Sequence, residues 1–422
     1  MGYTRVVVIG GGFGGLNTVK ALNKAKLDLI LVDKSNHHLF QPLLYQVATA
    51  ALSPAEIAYP LREIFRKQKN TMVVMGEVSH IDKEKKLITL LNGETISYDY
   101  LVVATGARHC YFGNDQWEPL APGLKTVQDA LKIREHILMS FEKAERTDSI
   151  SEASKYLNFV VIGGGPTGVE MAGAIAEIAR TTMLENFRRI RPEKSKVFLI
   201  EALPHILPVY SKKLYESAKR DLDHLGVKVI TSKKVTNITT EGVQVEDLFI
   251  ESKNVIWAAG NQASPLLKTL NVPLDRQGRL IVEPDLSVPG YPEIFVIGDA
   301  AHTKEQENKP LPGTAPVAIQ QGKYVARILK TAIPPSERLP FCYHDRGSMA
   351  TIGKGKAIAA VGKWEFGGLL AWLAWGLIHM AYLIGFRSRF GVLIEWIIVF
   401  ITGQRGVRLI TKSIDAELPQ KK

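Results

Sequence analysis

Residues 5–22 read RVVVIGGGFGGLNTVKAL. The run RVVVI is short, apolar and β-branched, which suits a strand buried on both faces. It passes at once into a glycine turn and then into residues with helical spacing. Within the turn Gly10, Gly12 and Gly15 fit GxGxxG. The first glycine permits the tight turn, the second lets backbone approach a pyrophosphate, and the third lets helix pack on strand. The phosphates would sit on the positive end of the helix dipole. A second strand, LDLILVD, ends in Asp33, 23 residues after Gly10. A carboxylate there can accept hydrogen bonds from ribose hydroxyls. A bare GxGxxG says little, but between a strand and a helix, with an acid closing the next strand, it reads as a dinucleotide-binding unit.

The device recurs. FVVIGGGPTGVEMAGAIAEIA carries Gly163, Gly165 and Gly168, and its second strand, VFLIE, ends in Glu201. The gap from Gly163 to Glu201 is 38 residues because TTMLENFRRIRPEK precedes that strand. An acid at this position repels a 2′-phosphate and no arginine follows it directly, so NADH is favoured over NADPH. Two sites need two dinucleotides, and the economical pairing is a resident FAD with a transient NADH. YDYLVVATGA at 98–107 and KNVIWAAGN at 253–261 read as crossovers between two such domains. YPEIFVIGDAA at 291–301 ends a strand in Gly298 and Asp299, where a carboxylate could hold the ribityl chain of a flavin. The expected fold is α/β, with two Rossmann-like domains and a C-terminal amphipathic-helix region that anchors on a membrane.

The 422 residues allow roughly three domain-sized units. The expected division is a first FAD part at 1–115, an NADH domain at 116–285, a second FAD part at 286–335 and a membrane-association region at 336–422. Net charge is +11, which fits an anionic surface. No basic block alternates with aromatics as a nucleic-acid groove needs, so no nucleic-acid partner is expected. The densest run, FRRIRPEK at 187–194, reads as a solvated face. His37 and His38 are adjacent and cannot share one face of a strand, so no metal site is expected. The N-terminus has no charged region followed by an apolar core and cleavage site, so the catalytic body is expected to stay in the cytoplasm.

Taken in order, these motifs resemble the two-dinucleotide-binding-domain flavoprotein reductases over about residues 5–330. Many members pass electrons through a cysteine pair beside the flavin. Only Cys110 and Cys342 occur here, 232 positions apart, so that chemistry has no such pair to use. A quinone, a small redox protein, oxygen or a metal complex remains as acceptor. Five segments narrow the resemblance to the type II NADH dehydrogenases, the single-subunit NADH:quinone oxidoreductases of respiratory membranes. They are KSNHHLFQPLLYQVATAALSPAEIAYPLREIF at 34–65, LPGTAPVAIQQGKYVARIL at 311–329, GSMATIGKGKAIA at 347–359, IGFRSRF at 384–390 and GQRGVRLI at 403–410.

The resemblance implies a non-covalent FAD on Gly10, Gly12, Phe13, Gly14, Gly15, Asp33, Lys34, Val78, Ala104, Thr105, Gly106, Gly298, Asp299, Pro316 and Val317. It implies NADH on Gly163, Gly165, Thr167, Gly168, Glu170, Glu201, Ala259 and Gly260. Phe40, Pro42, Leu43 and Leu44 match a flavin-side loop; Glu170 and Gln320 match the catalytic groups. Gln320, Gln321, Leu43, Leu44 and His379 are the implied quinone contacts. The family's AQxAxQxG pattern has Pro316 where its first glutamine stands, which moves any quinone hydrogen bond of that motif to Gln320 or Gln321. Read without the resemblance, Glu170 is also an acid near a helix N-terminus, and the two glutamines are also surface residues.

Near the C-terminus stands FGGLLAWLAWGLIHMAYLIGF, 366–386. From Gly367 to Gly385 it would make a helix about 28 Å long, just short of a bilayer crossing. At 100° per residue Gly367, Ala371, Ala374, Ala381 and Gly385 form a stripe for a neighbouring helix. Trp372, Trp375, His379 and Tyr382 form a side expected at the lipid boundary, and Leu369, Leu370, Leu373, Leu377, Met380 and Ile384 a side expected in lipid. The second apolar run, 390–403, has Glu395 inside it and is too short to return. A helix lying in the membrane plane fits both runs, with Arg387, Arg389, Arg405, Arg408 and Lys412 on anionic headgroups. A spanning helix would put these cations on the cytoplasmic side and the NADH site outside, where NADH is absent. The expected location is therefore peripheral, on the cytoplasmic face of a bacterial inner membrane, with room for a homodimer built partly on these helices. Two other readings stay open from sequence: a soluble NADH-dependent reductase of a small redox protein, and a flavin-bearing sensor.

Overall fold

The computed structural model describes residues 3–303 and 310–411. Two compact units share the chain. One takes the chain up to Leu39, then Ala58–Arg108 and Asn261–Arg346; the other takes Phe40–Ile57, His109–Gly260 and the chain from Gly347.

The first unit is built on a six-stranded sheet in the order Ser287–Val288, Tyr291–Val296, Tyr100–Val103, Thr4–Ile9, Leu27–Asp33, Thr71–Met75. All neighbours are parallel except the first pair. Val6, Val7 and Val8 sit at its centre with no exposed surface, as a β-branched run covered on both faces should. On one side the helix Phe13–Ala21 meets the helix Ala315–Thr331 so closely that a Cβ on Gly322 would lie 2.4 Å from the Gly14 carbonyl. On the other, Leu266, Leu267, Leu270 and Leu280 enter the core beside Ile81 and Ile88. Those leucines draw 261–285 into this unit, so the crossing expected at 285/286 falls at 260/261.

The second unit carries a four-stranded parallel sheet in the order Val227–Ile230, Lys196–Ile200, Asn158–Ile162, Asn254–Trp257. Its C-terminal stretch does not stand apart as a fourth segment. A three-stranded antiparallel sheet, Ser348–Gly353, Lys356–Val361 and Trp364–Gly367, packs directly on the helix Pro166–Glu177. At the crossing a Cβ on Gly173 would lie 1.8 Å from the Ile352 carbonyl oxygen, so only a glycine fits.

Two helices follow, Gly368–Tyr382 of 15 residues and Phe386–Thr402 of 17. The first is shorter than expected because Leu383 is extended and Gly385 has φ +85°. Among the described residues no helix is long and apolar enough to cross a membrane. The aliphatic side lies outward as expected, with Leu370 66% and Leu377 74% exposed. The other two sides differ from expectation. Ala371 packs on Ala357 and Ala359 of the sheet, not on a helix. Trp375 is only 2% exposed and faces inward with His379 and Trp396. Indole has the largest apolar area on the helix, and burying it outweighs leaving its N–H at an interface.

Replacing Gly173 by alanine tests the crossing. Helix propensity alone would favour the change by about 1 kcal/mol. The backbone contact instead predicts a loss of about 1–3 kcal/mol or more, seen as a lower Tm in a thermal melt.

Candidate functional site

Both glycine turns are shaped alike. A Cβ on Gly10 would lie 2.3 Å from the Ala104 carbonyl oxygen, and one on Gly15 1.9 Å from the Gly10 carbonyl oxygen. In the second unit Gly163 and Gly168 are closed the same way, at 2.7 Å from the Ala258 carbonyl carbon and 1.8 Å from the Gly163 oxygen. A Cβ on Gly12 or Gly165 would meet nothing within 4 Å. The first and third glycines are therefore demanded by packing, while the second leaves bare backbone facing open space, as an approaching pyrophosphate requires. Beyond the strand Tyr100–Val103, the buried Thr105 hydroxyl has no partner among the described residues. Gly298 takes φ +68°, and the Asp299 carboxylate oxygen lies 3.1 Å from where a Gly313 Cβ would stand. An orphaned hydroxyl, a bare glycine turn and this carboxylate fit a bound dinucleotide in the first unit.

The two acids are fixed by backbone. Asp33 accepts from the Gly11 N–H at 2.5 Å on one oxygen and from the N–H and hydroxyl of Ser35 at 2.7 Å on the other. Glu201 accepts from the Gly164 N–H at 2.5 Å and the Leu203 N–H at 2.7 Å. A carboxylate has about four acceptor positions, so each keeps capacity for ribose hydroxyls. Sequence reading missed one support. His38, 2% exposed, contacts the Gly11 carbonyl through Nδ1 at 2.9 Å and stands edge-on to Phe13. Burial pushes its pKa down to about 4, so the neutral ring donates from Nδ1 and steadies the turn.

Among the remaining FAD positions, Val78 and Val317 are buried, Lys34 is exposed, and Pro316 opens the helix Ala315–Thr331. On the NADH side Thr167 is exposed, and Gly260, at φ +72°, comes within 3 Å of Phe112 and the Cys110 carbonyl if given a Cβ.

Several expected quinone contacts have other tasks. Gln320 donates to the His344 carbonyl at 2.9 Å and accepts from the His344 N–H at 3.0 Å, so both ends of its amide are taken. Gln321, 1% exposed, accepts from the Gly298 N–H at 2.6 Å and donates to Thr303. It braces the Gly298–Asp299 turn. Leu43 and Leu44 are core residues without accessible surface. His379 donates from Nδ1 to the Trp375 carbonyl at 2.7 Å, lies edge-on to Phe40, and is held neutral by burial, its pKa near 4.

The second unit instead opens a cavity one helical step further along, at Tyr45, Gln46 and Thr49. Its walls are aromatic: Trp375 and Trp396 at 5.3 Å between ring centres, and Trp372 and Phe400 at 5.4 Å. Its polar groups form a connected set. The Trp396 N–H donates to Gln46 at 2.7 Å, Gln46 donates to the Tyr45 hydroxyl at 3.0 Å, and that hydroxyl shares a 2.9 Å bond with Thr351. Arg405, 4% exposed, donates to the Thr49 carbonyl at 2.7 Å and to Glu177 at 2.9 Å. This corrects the expectation that Arg405 meets lipid headgroups, and Lys412 lies outside the described residues. Glu170 also lines the cavity. Loss of solvent pushes its carboxyl up to about 8, against the opposing pull of a Thr351 backbone N–H. It is therefore protonated at neutral pH.

An acid with a raised pKa in the fold binds its proton more tightly folded than unfolded. Its contribution to stability is complete below about pH 4.5 and is lost as pH rises to about 8. Melts followed by near-ultraviolet circular dichroism should show Tm falling across that window, and Glu170→Gln should flatten the fall. An unchanged slope in the variant would assign the effect elsewhere.

Comparison with known proteins bears on these sites. Residues 4–322 match the pyridine nucleotide-disulphide oxidoreductase family, and 345–405 match the NDH2 C-terminal domain. The type II NADH:quinone oxidoreductase Ndh of Mycobacterium tuberculosis is 46% identical, over 96% of this chain and 90% of that protein. NdhA of the same organism is 44% identical, over 98% and 90%. The structure of NDH2 from Plasmodium falciparum in complex with NADH superposes with a TM-score of 0.88 over 97% of this chain and 100% of that one; at 22% identity this speaks for the fold. The chain belongs to the pyridine nucleotide-disulphide oxidoreductases and, within them, to the type II NADH:quinone oxidoreductases.

Proposed function

We infer that this protein is an FAD-dependent enzyme that oxidises NADH and reduces a membrane quinone by two electrons, without pumping protons. One observation carries the reading furthest: an aromatic-walled cavity with a protonated carboxyl opens beside helices whose aliphatic side is exposed. When bound, FAD supplies hydride acceptance and two-electron delivery. Gly10, Gly12, Gly15, Asp33, Thr105 and Asp299 would hold it.

The chain's own residues bind, orient and supply protons. Glu201, fixed by two backbone N–H groups, accepts the ribose hydroxyls of NADH and rejects a 2′-phosphate by charge. The quinone ring enters the cavity of the second unit between Trp372, Trp375, Trp396 and Phe400, with a carbonyl directed at the Tyr45 hydroxyl. Quinone reduction takes up two protons. Glu170 holds one at its carboxyl at neutral pH and can release it to a quinone oxygen, then refill from solvent.

The outward aliphatic side suits a membrane-plane anchor on the cytoplasmic face, where a lipid-soluble acceptor is at hand. A soluble reductase of a small redox protein would leave that apolar face unexplained. A homodimer built partly on the two C-terminal helices would compete with lipid for the same face.

Two kinetic outcomes test the assignments. Glu201→Ala should raise KM for NADH by about tenfold or more, from loss of charge-assisted bonds of about 1.5–3 kcal/mol, with kcat at saturation little changed. Tyr45→Phe should raise KM for a short-chain quinone by roughly fivefold to tenfold, the value of one hydrogen bond. Stopped-flow reduction of the bound flavin by NADH should be unaffected. Slowed flavin reduction, or an unchanged quinone KM, would remove Tyr45 from the quinone site.

A further inference from the structure

We propose that the basic insertion at 187–194, FRRIRPEK, is a second membrane contact that binds the headgroups of anionic phospholipid. The proposal rests on the membrane-plane reading of the two C-terminal helices.

Four observations support it. First, the insertion is held from behind so that its arginine and lysine side chains face solvent. The Glu145 carboxylate accepts from the backbone N–H groups of Arg188 at 2.9 Å, Arg189 at 3.0 Å and Ile190 at 3.0 Å. Arg188, Arg189, Arg191 and Lys194 are all exposed, and Arg189 also pairs with Asp148. Second, the residues that lead into the insertion, Thr182 and Asn186, are bonded to the chain at and after the end of the second C-terminal helix. The Thr182 hydroxyl donates to the Gly403 carbonyl at 3.1 Å, and Arg408 donates to the Thr182 carbonyl at 3.3 Å and to Asn186 at 3.4 Å.

Third, exposed apolar residues stand on both chain segments of that junction. Ile401 is 76% exposed, Leu409 75% and Leu184 45%. Fourth, among the cations expected to meet lipid from the C-terminal stretch, Arg389, Arg405 and Arg408 hydrogen-bond within the protein, while Arg387 is exposed. Arg405 is buried on Glu177, and Arg389 caps the first C-terminal helix by donating to the carbonyls of Leu383 at 2.8 Å and Ala381 at 3.1 Å. The insertion therefore supplies exposed arginines at the margin of the apolar face. A planar guanidinium matches a phosphate oxygen pair, and a basic group at an anionic surface gains about 1 kcal/mol, near fivefold in affinity. The arrangement places apolar side chains in the acyl region and arginines at headgroup height.

Flotation of the full-length holoenzyme with vesicles tests this, using phosphatidylcholine alone or mixed with phosphatidylglycerol. Arg188→Ser, Arg189→Ser and Arg191→Ser together remove the charges and leave the Glu145 backbone bonds intact. Arg66→Ser, Lys67→Ser and Lys69→Ser together change net charge equally at exposed positions in the other unit. The wild type should prefer the anionic vesicles, and this preference should weaken with salt. The insertion variant should lose about tenfold or more of that preference. It should keep its binding to phosphatidylcholine, its flavin content and its turnover with a water-soluble quinone, and the control should behave as wild type. The proposal is overturned if the insertion variant keeps the preference, or if the control loses as much. If the wild type binds neither vesicle, the membrane-plane reading fails together with the proposal, a result distinct from failure of the insertion alone.

Discussion

The arrangement of the second unit depends on one buried guanidinium. Arg405 donates from one nitrogen to the Thr49 carbonyl and from the other to Glu177, whose second oxygen accepts the Lys354 N–H. Four stretches distant in sequence meet there: the loop after Leu44–Ala48, the end of the helix Pro166–Glu177, the sheet Ser348–Gly353 with its turn, and the chain leaving the last helix. A buried ion pair adds little net stability, because desolvating both charges offsets their attraction. Its effect is on specificity: with either partner missing, an uncompensated charge would be left inside, so the C-terminal stretch has one seating. Gly173 enforces the same seating sterically, since no side chain can stand between that helix and the Ile352 carbonyl.

Given that seating, the C-terminal helices present one side to the protein and another outward. Trp375, Trp396 and Trp372 turn in and become the walls of a cavity, while leucines and isoleucines are left outside. The polar groups of the cavity come from elements the clamp brings together: Tyr45 from one, Glu170 from another, Thr351 from a third. The raised pKa of Glu170 is a product of this enclosure, because it is loss of water that holds the proton on the carboxyl. The proposed anchoring and the proposed chemistry thus share a cause. The packing that buries the indoles also leaves the aliphatic residues facing out and strips much of the water from the acid.

Both Rossmann-type units were legible from the chain, down to the close packing of the first and third glycine of each turn. Gly10, Gly12 and Gly15 behave as their spacing implies, and Asp33 and Glu201 end their strands beside those turns. Such local devices are readable because strand, turn and helix are adjacent in sequence and their geometry follows from backbone sterics. The exposed aliphatic side of the C-terminal helix was also legible, since helical periodicity sorts residues by face. The direction of the aromatic side was not, because period says which residues share a face and nothing of what that face will meet.

Residues whose partners differ from expectation share a physical reason. Leu43 and Leu44 are buried beside Tyr45 and Gln46 of the cavity, and Gln320 binds the His344 backbone. A glutamine or a buried arginine has several hydrogen-bonding options, and which one is realised depends on groups hundreds of positions away. By itself the sequence determined two Rossmann-type units, the acid that closes the second strand of each and the apolar character of the C-terminal helices. Tertiary structure alone decided that Arg405 is a buried clamp, that the indoles build a cavity, and that the basic insertion lies beside the last helix. Those outcomes arise from long-range competition for burial and hydrogen-bond partners, which no local pattern encodes.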